Sequence, residues 1–461
     1  MPDVDTDLLA KLAAIVGDAG VITDADAKAP YLEDARKRTR AEALCIVRPR
    51  TTREVSEIVK LCARELAPLV PQSGNTGLAY GGLPLSLKGA VVMSLARMNA
   101  IRNLQPLAMT MEVEAGVPLR TAKDAAEAAN RFLPVTIGSE GTAQIGGVIS
   151  TNAGGINVVR YGMARNSVLG LEVVLADGTI VNGLRPLRKD NAGYDWKQLF
   201  IGTEGTLGVV TAAVMKLSPL PTKSATAFVV LDSVDKALEL LSLAQDRIGD
   251  SLGAFEMMPR LCYELVEKHF GQKPPTALSN WHVLMEAGSM LNGLEEAIEE
   301  LLADALERGI ATDAVISQNT QQAAQMWLAR ERMANLGNRE GRMVNHDISV
   351  PIERMADFVR AADIATEAEF PDVRHLSFGH LGDGNLHYNI LLGPEPKTET
   401  VNACVHRVVT EFGGSISAEH GIGRYRKHEL PLNKSAEELA LMRRMKAMLD
   451  PDGVLNPGAV V

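Results

Sequence analysis

The sequence predicts an α+β protein of two or three domains, and three observations support this prediction. The chain has 461 residues, which is long for one domain. Residues 1–221 mix helical and strand patterns and are dense in glycine loops. Residues 222–370 hold long helical patterns between short apolar strands, and residues 407–461 form a third segment that is short for a domain. We expect the third segment to pack back on one of the other two.

The elements of the N-terminal part follow from local patterns. Residues 5–17 are predicted as an amphipathic helix. A second helix starts at Thr51, because Thr51 and Glu54 have the spacing of a capping box and apolar residues follow at helical spacing. The stretch "MTMEVEAG" alternates apolar and polar residues, which indicates a strand. "LGLEVVLADGTIV" is predicted as two strands joined at Asp177 and Gly178, a strong hairpin signal.

The middle of the chain is predicted as a second α+β unit. "DKALELLSLAQDRIG" and "NGLEEAIEELLADALERG" have the apolar spacing of amphipathic helices. Neither a sequence repeat nor a low-complexity tract interrupts them.

Composition and charge exclude several classes of protein. The formal net charge is −10, which argues against nucleic-acid binding because that requires a strongly basic surface. The four cysteines form no CxxC pair, so we expect reduced core thiols and a cytoplasmic location. The acidic start "MPDVDTD" is unlike a signal or transit peptide, and no window approaches the roughly 20 apolar residues of a membrane span.

Three glycine loops in residues 1–221 indicate a phosphate-containing cofactor. They are "PQSGNTGLAYGG", "IGSEGTAQIGGVISTNAGG" and "LFIGTEGTLGVVT". Backbone N–H groups and small hydroxyl residues in such loops form anion-binding concavities. Any one loop could equally be a plain turn between strands, but three together favour a long diphosphate cofactor. The Rossmann and Walker patterns are absent, so neither NAD on a Rossmann fold nor a P-loop nucleotide is expected.

The stretch "SFGHLGDGNLHYNI" indicates a metal site. His380 and His387 are seven residues apart, an odd spacing that would place them on opposite faces of one straight strand. A Gly-Asp-Gly turn between them breaks that register and could bring both rings to one point. The motif "SAEHGIG" offers Glu419 as a third ligand. Two imidazoles and a carboxylate suit Zn²⁺ and leave one coordination position open, and Mn²⁺ would also fit. The alternative to a metal site is a polar hairpin that happens to contain histidines.

The order of seven motifs resembles the FAD-linked D-2-hydroxyacid dehydrogenases of the vanillyl-alcohol oxidase/PCMH-type superfamily, above all the D-2-hydroxyglutarate and D-lactate dehydrogenases. The motifs are "PQSGNTG", "IGGVISTNAGG", "VLGLEVVLADGT", "LFIGTEGTLGVVT", "HLGDGNLH", "SAEHGIG" and "LDPDGVLNPG". The resemblance implies a PCMH-type FAD-binding domain of two α+β subdomains at 1–221. It further implies an α+β cap, or substrate, domain at 222–406 and a segment at 407–461 that completes the active site and returns to the FAD domain.

The resemblance also implies roles for individual residues. His380, His387 and Glu419 match the metal ligands, and His420 matches the base that takes the substrate hydroxyl proton and contacts substrate. Arg330 matches the arginine that binds the substrate carboxylate, and Asn389 matches a further substrate contact. The positions that match the FAD site are Pro71, Gln72, Ser73, Gly74, Asn75, Thr76, Gly77, Leu78, Ile137, Gly138, Gly141, Thr142, Ile145, Gly146, Gly147, Thr151, Asn152, Ala153, Gly155, Tyr161, Gly162, Glu204, Gly208, Val209, Val210 and Asn456.

We therefore expect an FAD- and metal-dependent dehydrogenase that oxidises a D-2-hydroxy acid to the 2-oxo acid. FAD is expected to be noncovalent, since the first histidine of the chain is His269, beyond the FAD domain. Electrons would pass to an electron-transfer flavoprotein or a quinone, and a homodimer is expected. D-2-hydroxyglutarate is favoured, but Ala334 and Asn345 stand where the related enzymes have threonine and lysine, which leaves D-lactate or D-malate open. The alternatives are an oxidase that uses O₂ and a noncatalytic flavin- or metal-binding protein.

Overall fold

The structure is a computed structural model that describes residues 4–393 and 397–461. The chain divides into two units. Unit 1 comprises Met1–Gly154, Met163–Leu220 and Glu419–Val461, and unit 2 comprises Gly155–Gly162 and Pro221–Ala418. The returning C-terminal segment thus begins at Glu419, because the helix that contains Arg407 continues to Glu411 within unit 2.

The helices in chain order are α1 (Val4–Val16), α2 (Ala25–Leu32), α3 (Thr52–Glu65), α4 (Leu119–Ala128), α5 (Ile145–Ser150), α6 (Val158–Tyr161), α7 (Val234–Ile248), α8 (Arg260–Phe270), α9 (Leu294–Glu307), α10 (Thr320–Met333), α11 (Gly337–Glu340), α12 (Met355–Glu369), α13 (Thr398–Glu411), α14 (Leu430–Asn433) and α15 (Ala436–Leu449). No helix in the described part of the chain combines the length and the apolar character that a membrane span requires.

The strands in chain order are β1 (Val21–Ile22), β2 (Cys45–Val47), β3 (Leu69–Gln72), β4 (Val91–Ser94), β5 (Ile101–Gln105), β6 (Thr110–Glu114), β7 (Arg131–Phe132), β8 (Val168–Val174), β9 (Ile180–Asn182), β10 (Val209–Lys216), β11 (Ser218–Pro219), β12 (Lys223–Leu231), β13 (Leu252–Pro259), β14 (Trp281–Ser289), β15 (Asp313–Ile316), β16 (Arg342–Val344), β17 (Asp347–Ser349), β18 (Arg374–His380) and β19 (Asn385–Leu392). The predicted α+β class is confirmed.

Unit 1 contains two α+β layers. A four-stranded sheet, β1-β2-β4-β3, is parallel except for β1 and packs against α1 and α3 through a core that includes Leu12 and Ile58. A five-stranded antiparallel sheet, β5-β6-β10-β8-β9, packs against α4 and α5 in a second core. The predicted strand in "MTMEVEAG" is β6, and the predicted hairpin at Asp177 is formed by β8 and β9. Both lie in this second sheet.

Helix α3 begins as its sequence predicts. The Thr51 side chain accepts the N–H of Glu54 at 3.1 Å. The Glu54 carboxylate reaches back to the N–H of Arg50 at 2.7 Å, one residue earlier than in a standard capping box. The Thr51 contact satisfies an N–H group that the first turn of a helix leaves without a partner, so it defines where α3 starts.

Unit 2 is built on one antiparallel sheet of eight strands, in which β15-β12-β14-β13-β18-β19-β16 are consecutive neighbours and β17 also pairs with β19. One face of the sheet packs against α8 and α10 through a core that includes Phe228, Leu284 and Phe378. The predicted helices in this unit are α7 and α9. The strands β13, β18 and β19 in the middle of the sheet hold the residues described next.

Candidate functional site

Two histidines lie at the turn end of the β18–β19 hairpin in unit 2. The ladder pairs Phe378 with His387, and His380 is two residues further along β18. Paired residues, and residues two apart on one strand, project from the same face of a sheet. The two rings therefore share a face, with their centroids 5.4 Å apart. The Gly-Asp-Gly turn thus overrides the odd spacing and brings both imidazoles together, as was expected of the turn.

The turn between the histidines depends on two of its own residues. Gly384 has a φ of +79°, and a Cβ at this position would lie 2.6 Å from the carbonyl oxygen of Val350. The carboxylate of Asp383 accepts the N–H of Asn385 at 3.1 Å. Gly384 and the Asp383 carboxylate therefore shape the turn. The two histidines on either side of it are the candidate metal ligands.

Glu256 is a central residue of this site that sequence reasoning missed. It lies on β13, fully buried, and its Oε1 is hydrogen-bonded to Nδ1 of His380. Its Oε2 accepts the Nε–H of Arg330 at 2.7 Å. Burial alone would raise the pKa of Glu256, but His380 and Arg330 beside it lower that pKa to about 2. An ionised carboxylate thus joins one imidazole and one guanidinium, and the only signal in the sequence was a single charge within the apolar strand "LGAFEMMP".

Arg330 is oriented by contacts on two sides. It is 7% exposed on α10, and its guanidinium lies over the Phe378 ring, 4.6 Å from the centroid. Glu256 holds its Nε. Toward the residues that the structure describes, its Nη1 and Nη2 donate no hydrogen bond. These two nitrogens form the edge of a guanidinium that grips a carboxylate with two parallel hydrogen bonds.

The neighbouring arginines are engaged elsewhere in unit 2. Arg332 and Arg339 both stack on Phe270, at 5.0 and 4.5 Å from its centroid. Arg342 donates to the hydroxyl of Thr398 at 2.9 Å. Of the four arginines between 330 and 342, Arg330 is therefore the one whose contacts fit substrate binding.

Two more polar residues lie beside His387. Asn389 is buried and follows His387 by two residues on β19, so both face the same way. Asp347, which sequence reasoning also missed, pairs with His387 in the ladder, and its Oδ1 is 3.9 Å from His387 Nδ1. Asn385 donates to that same Oδ1 at 3.0 Å. A carboxylate thus flanks the outer nitrogen of each histidine, Glu256 at one and Asp347 at the other.

The two positions that depart from the related enzymes add no charge to the site. Ala334 is exposed and lies one helical turn after Arg330. Asn345 is half-buried between β16 and β17. The chain has no cation at either position to receive a second substrate carboxylate.

In unit 1 the first two glycine loops pack directly on one another. A Cβ on Gly74 would lie 2.0 Å from the carbonyl oxygen of Thr142. A Cβ on Gly146 would lie 2.7 Å from the Ala115 side chain and 3.2 Å from the Ser73 hydroxyl. Gly74 matches a position of the FAD site, but the nearest atom to its added Cβ is a protein carbonyl oxygen. Its immediate role is therefore contact between loops.

Three other glycines of these loops face open space. A Cβ on Gly77, Gly138 or Gly141 would meet no protein atom within 4 Å. Across the described residues, the N–H groups of 73–78 and 138–141 donate to no other protein group. Unsatisfied N–H groups beside open space are what an anionic diphosphate requires. The two loops therefore fit the diphosphate of FAD.

Glu204 and Asn456 connect separate segments of unit 1 through hydrogen bonds. The Glu204 carboxylate accepts the N–H groups of Ile422 and Gly423 at 2.9 and 3.0 Å. Burial raises the pKa of Glu204, and those two N–H groups partly oppose the rise. The Asn456 amide donates to the carbonyls of Gly81 and Glu204 at 3.0 and 2.7 Å. Both residues were predicted at the cofactor, and here they join segments of unit 1 to one another.

The remaining residues predicted at the cofactor are distributed over both units. In unit 1 they lie at the end of β3 and in the loop after it (Pro71, Gln72, Asn75, Thr76, Leu78), in or next to α5 (Ile137, Ile145, Gly147, Thr151, Asn152, Ala153) and at the start of β10 (Gly208, Val209, Val210). In unit 2 they lie on or beside α6 (Gly155, Tyr161, Gly162).

Glu419 and His420 are the first two residues of the last segment of unit 1. Both are half-buried, and His420 Nε2 is 3.9 Å from Glu419 Oε2. The residue before them, Ala418 of unit 2, donates its N–H to the carbonyl of Asp347 at 3.2 Å. One peptide bond therefore separates Glu419 from a backbone contact to the strand that pairs with His387.

Two protein families match this chain. Residues 43–183 match the "FAD binding domain" family, and residues 220–460 match "FAD linked oxidases, C-terminal domain". The expectation of FAD is confirmed by these matches. Within the described residues the four cysteines are free and buried, as expected.

Individual proteins are similar over nearly the whole chain. Mitochondrial D-2-hydroxyglutarate dehydrogenase of Bos taurus is 38% identical over 460 residues, which cover 98% of this chain and 83% of the relative. A putative mitochondrial D-lactate dehydrogenase of Schizosaccharomyces pombe is 35% identical and covers 92% of this chain and 83% of its own length. The structure of p-cresol methylhydroxylase with substrate bound superposes on this chain with a TM-score of 0.77 at 17% sequence identity. The match covers 100% of this chain and 97% of that protein, so the PCMH-type fold is confirmed.

Proposed function

Because the chain belongs to the family of FAD-linked D-2-hydroxyglutarate dehydrogenases, we propose that it oxidises D-2-hydroxyglutarate to the 2-oxo acid with the help of a divalent metal. The observation that carries the proposal is the register of the unit 2 sheet. It puts His380, His387 and Asn389 on one face, together with the carboxylate that orients Arg330. Imidazoles beside an oriented guanidinium suit a substrate that has a hydroxyl and a carboxylate on adjacent carbons.

FAD supplies the hydride acceptor of this reaction when it is bound. The residues that would hold its diphosphate are the N–H groups of 73–78 and 138–141, with Gly77, Gly138 and Gly141 giving room for it. We propose that FAD is noncovalent, since the chain has no histidine before His269. Release of free FAD by acid would support this, and flavin that stays with the denatured polypeptide would contradict it.

We propose His380, His387 and Glu419 as the metal ligands, with Zn²⁺ favoured and Mn²⁺ the alternative. The donor set fits, because two imidazoles with a carboxylate is a common zinc set that leaves one position for substrate. Each imidazole also has a carboxylate at its Nδ1 side, which is the usual outer partner of a histidine that binds metal through Nε2. The metal would lower the pKa of the substrate hydroxyl when bound.

Three residues of the chain have roles toward the substrate. Arg330 would receive the carboxylate with Nη1 and Nη2, and Asn389 would add a neutral hydrogen bond. His420 would take the hydroxyl proton, because a neutral imidazole has a ring nitrogen that can accept a proton. The hydroxyl proton and the hydride thus leave to different acceptors, which is how the two-electron oxidation of an alcohol balances.

The substrate class is tested by anaerobic reduction of the bound flavin. The purified protein would be mixed with the D and L enantiomers of 2-hydroxyglutarate, lactate and malate, and flavin absorbance followed. We expect bleaching with D-2-hydroxyglutarate and little with any L enantiomer. Fast bleaching by D-lactate alone would favour a monoacid substrate, which would agree with Ala334 and Asn345. The absence of bleaching with every acid would contradict an enzymatic role.

We further propose that electrons leave to an electron-transfer flavoprotein or a quinone. The test is turnover with a quinone analogue against turnover in air. Rapid peroxide production on substrate addition would instead indicate an oxidase. A homodimer and a cytoplasmic location are also proposals, which light scattering and cell fractionation would test.

A further inference from the structure

We propose that Glu256 is a positioning residue shared by the metal ligand His380 and the substrate-binding Arg330, so that one buried carboxylate sets the geometry of both. This inference rests on the proposed function, because it assigns Glu256 a task within that site. It concerns a residue that neither the motif pattern nor the family resemblance singled out.

The position of Glu256 is fixed by the sheet. Its strand, β13, lies between β14 and β18, and the ladders pair Glu256 with Leu284 on one side and with His380 on the other. The side chain is completely buried. Backbone pairing on both sides leaves the carboxylate little freedom, so its two oxygens are a fixed reference for what they contact.

Each oxygen of Glu256 has a different partner. Oε1 is bonded to Nδ1 of His380, which makes Nε2 the ring nitrogen that a metal would meet. A carboxylate at this place fixes the tautomer and the ring orientation and makes the ligand more basic. Oε2 accepts the Nε–H of Arg330 at 2.7 Å, while Phe378 lies under the guanidinium plane. Together the two contacts set both the direction and the plane of the Nη1–Nη2 edge.

The surroundings of Glu256 argue against a purely structural role. Its neighbours on the same sheet face include Leu284 and Met258, which belong to the apolar core. Removing charged groups from water costs several kcal/mol per ion, and well-packed apolar residues are often as stable in their place. Packing alone therefore gives no reason for a glutamate at this position. A carboxylate that holds a metal ligand and a substrate-binding arginine does.

A shared anchor makes a specific prediction, which is that one substitution weakens two different functions. In Glu256→Gln the amide has one acceptor oxygen and one NH₂ group, so it cannot accept from His380 and Arg330 with both ends. We expect the affinity for Zn²⁺ to fall by about 10–100-fold, the range for loss of an outer partner of a metal ligand. We also expect KM for the D-2-hydroxy acid to rise by about tenfold, because Arg330 loses its anchoring hydrogen bond. FAD content should stay the same.

The matched control is Glu286→Gln. Glu286 is a half-buried carboxylate on the neighbouring strand β14, and it accepts the Nε1–H of Trp327 at 2.8 Å. A glutamine there keeps an oxygen for Trp327, and among the described residues Glu286 makes no hydrogen bond or ion pair with His380 or Arg330. We expect wild-type zinc affinity and KM in this variant.

The experiment measures zinc affinity by competition with a chromophoric chelator, on FAD-loaded protein, together with KM, kcat and melting temperature. Parallel loss of zinc affinity and rise of KM in Glu256→Gln, with neither in Glu286→Gln, supports the inference. Wild-type values for both quantities in Glu256→Gln overturn it. Should Glu256→Gln not fold, Glu256→Asp decides by the same two quantities, since its carboxylate is one methylene too short to reach both partners. If the wild-type protein binds no zinc and oxidises no 2-hydroxy acid, the proposed function fails first, which keeps the two failures apart.

Discussion

Replacing Gly74 by alanine is expected to separate the first two of the three glycine loops of unit 1. The added Cβ would lie 2.0 Å from the carbonyl oxygen of Thr142 and 2.8 Å from its carbonyl carbon. Both atoms are backbone, so no side-chain rotation can relieve the contact. One loop must move by about 1 Å to restore an ordinary separation, as overpacked sites do.

The expected loss of stability follows from two opposing terms. Overpacking typically costs about 1–3 kcal/mol, and replacing glycine returns roughly 0.4–1 kcal/mol by restricting the unfolded chain. We expect a net loss of about 1–2 kcal/mol. For a unit of this size that corresponds to a melting temperature lower by about 2–8 °C. FAD retention should fall as well, because a shift of that size breaks the spacing of the N–H groups in both loops.

The assay compares Gly74→Ala with Gly77→Ala, which is the same substitution in the same loop. The Cβ added at Gly77 meets no protein atom within 4 Å. Melting temperatures are measured on protein stripped of FAD, and FAD affinity is then measured by flavin fluorescence. We expect Gly74→Ala to be destabilised without FAD and Gly77→Ala to melt within about 1 °C of wild type. A flavin-free Gly74→Ala protein that is as stable as wild type would refute the reasoning. The close approach of Gly74 to the Thr142 carbonyl would then not constrain the fold.

Three further predictions concern unit 2 and the catalytic pair. Chelation, or His387→Ala, should stop turnover and leave FAD bound, and an active enzyme that holds less than stoichiometric metal would contradict the site. His420→Asn should slow flavin reduction by about 10²–10⁴-fold while metal content persists, whereas Glu419→Gln should lose metal, and the reverse pattern would mean that their roles are exchanged. His282 is buried, which lowers its pKa from 6.5 to about 4, and its Nε2 accepts the N–H of Ser279. Because its folded pKa is depressed, its stabilising contribution is complete above pH 6.5 and is lost as pH falls toward 4, by up to about 3 kcal/mol. Urea denaturation should show this acid loss in wild type and not in His282→Gln.

The hairpin of the candidate metal site could be predicted from the sequence because it is local. His380 and His387 are separated by one turn, and the glycines and aspartate that shape the turn lie between them. Apolar alternation on both sides sets the register once the turn is fixed. No distant residue is needed to predict that the two rings meet.

Glu256 could not be placed in the same way because its partners are distant in sequence. Its bonds to His380 and Arg330 span 124 and 74 residues. The order of β13, β18 and β14 in the sheet decides these contacts, and no local pattern encodes that order. Gly74 illustrates a related limit, since a glycine motif indicates close approach but does not say whether a phosphate or the Thr142 carbonyl is the atom approached.

Residues 454–456 complete the first sheet of unit 1. Leu69 of the edge strand β3 donates to the carbonyl of Val454 at 2.9 Å and accepts the N–H of Asn456 at 2.8 Å. Lys446 donates to the carbonyls of Thr206 and Leu455 at 2.8 and 2.6 Å. Strand β3 is thus paired along its outer edge by residues that are synthesised much later than the strand itself.

This arrangement sets an order of maturation on the ribosome. Translation from β3 to Asn456 takes on the order of tens of seconds, and throughout that time the β3 edge has no outer partner. An unpaired edge strand is a template for aggregation, so the nascent chain would need a chaperone or a transient cover there. The main segment of unit 2, Pro221–Ala418, is continuous and emerges earlier. The sheet of unit 2 would therefore form before the outer edge of β3 is paired.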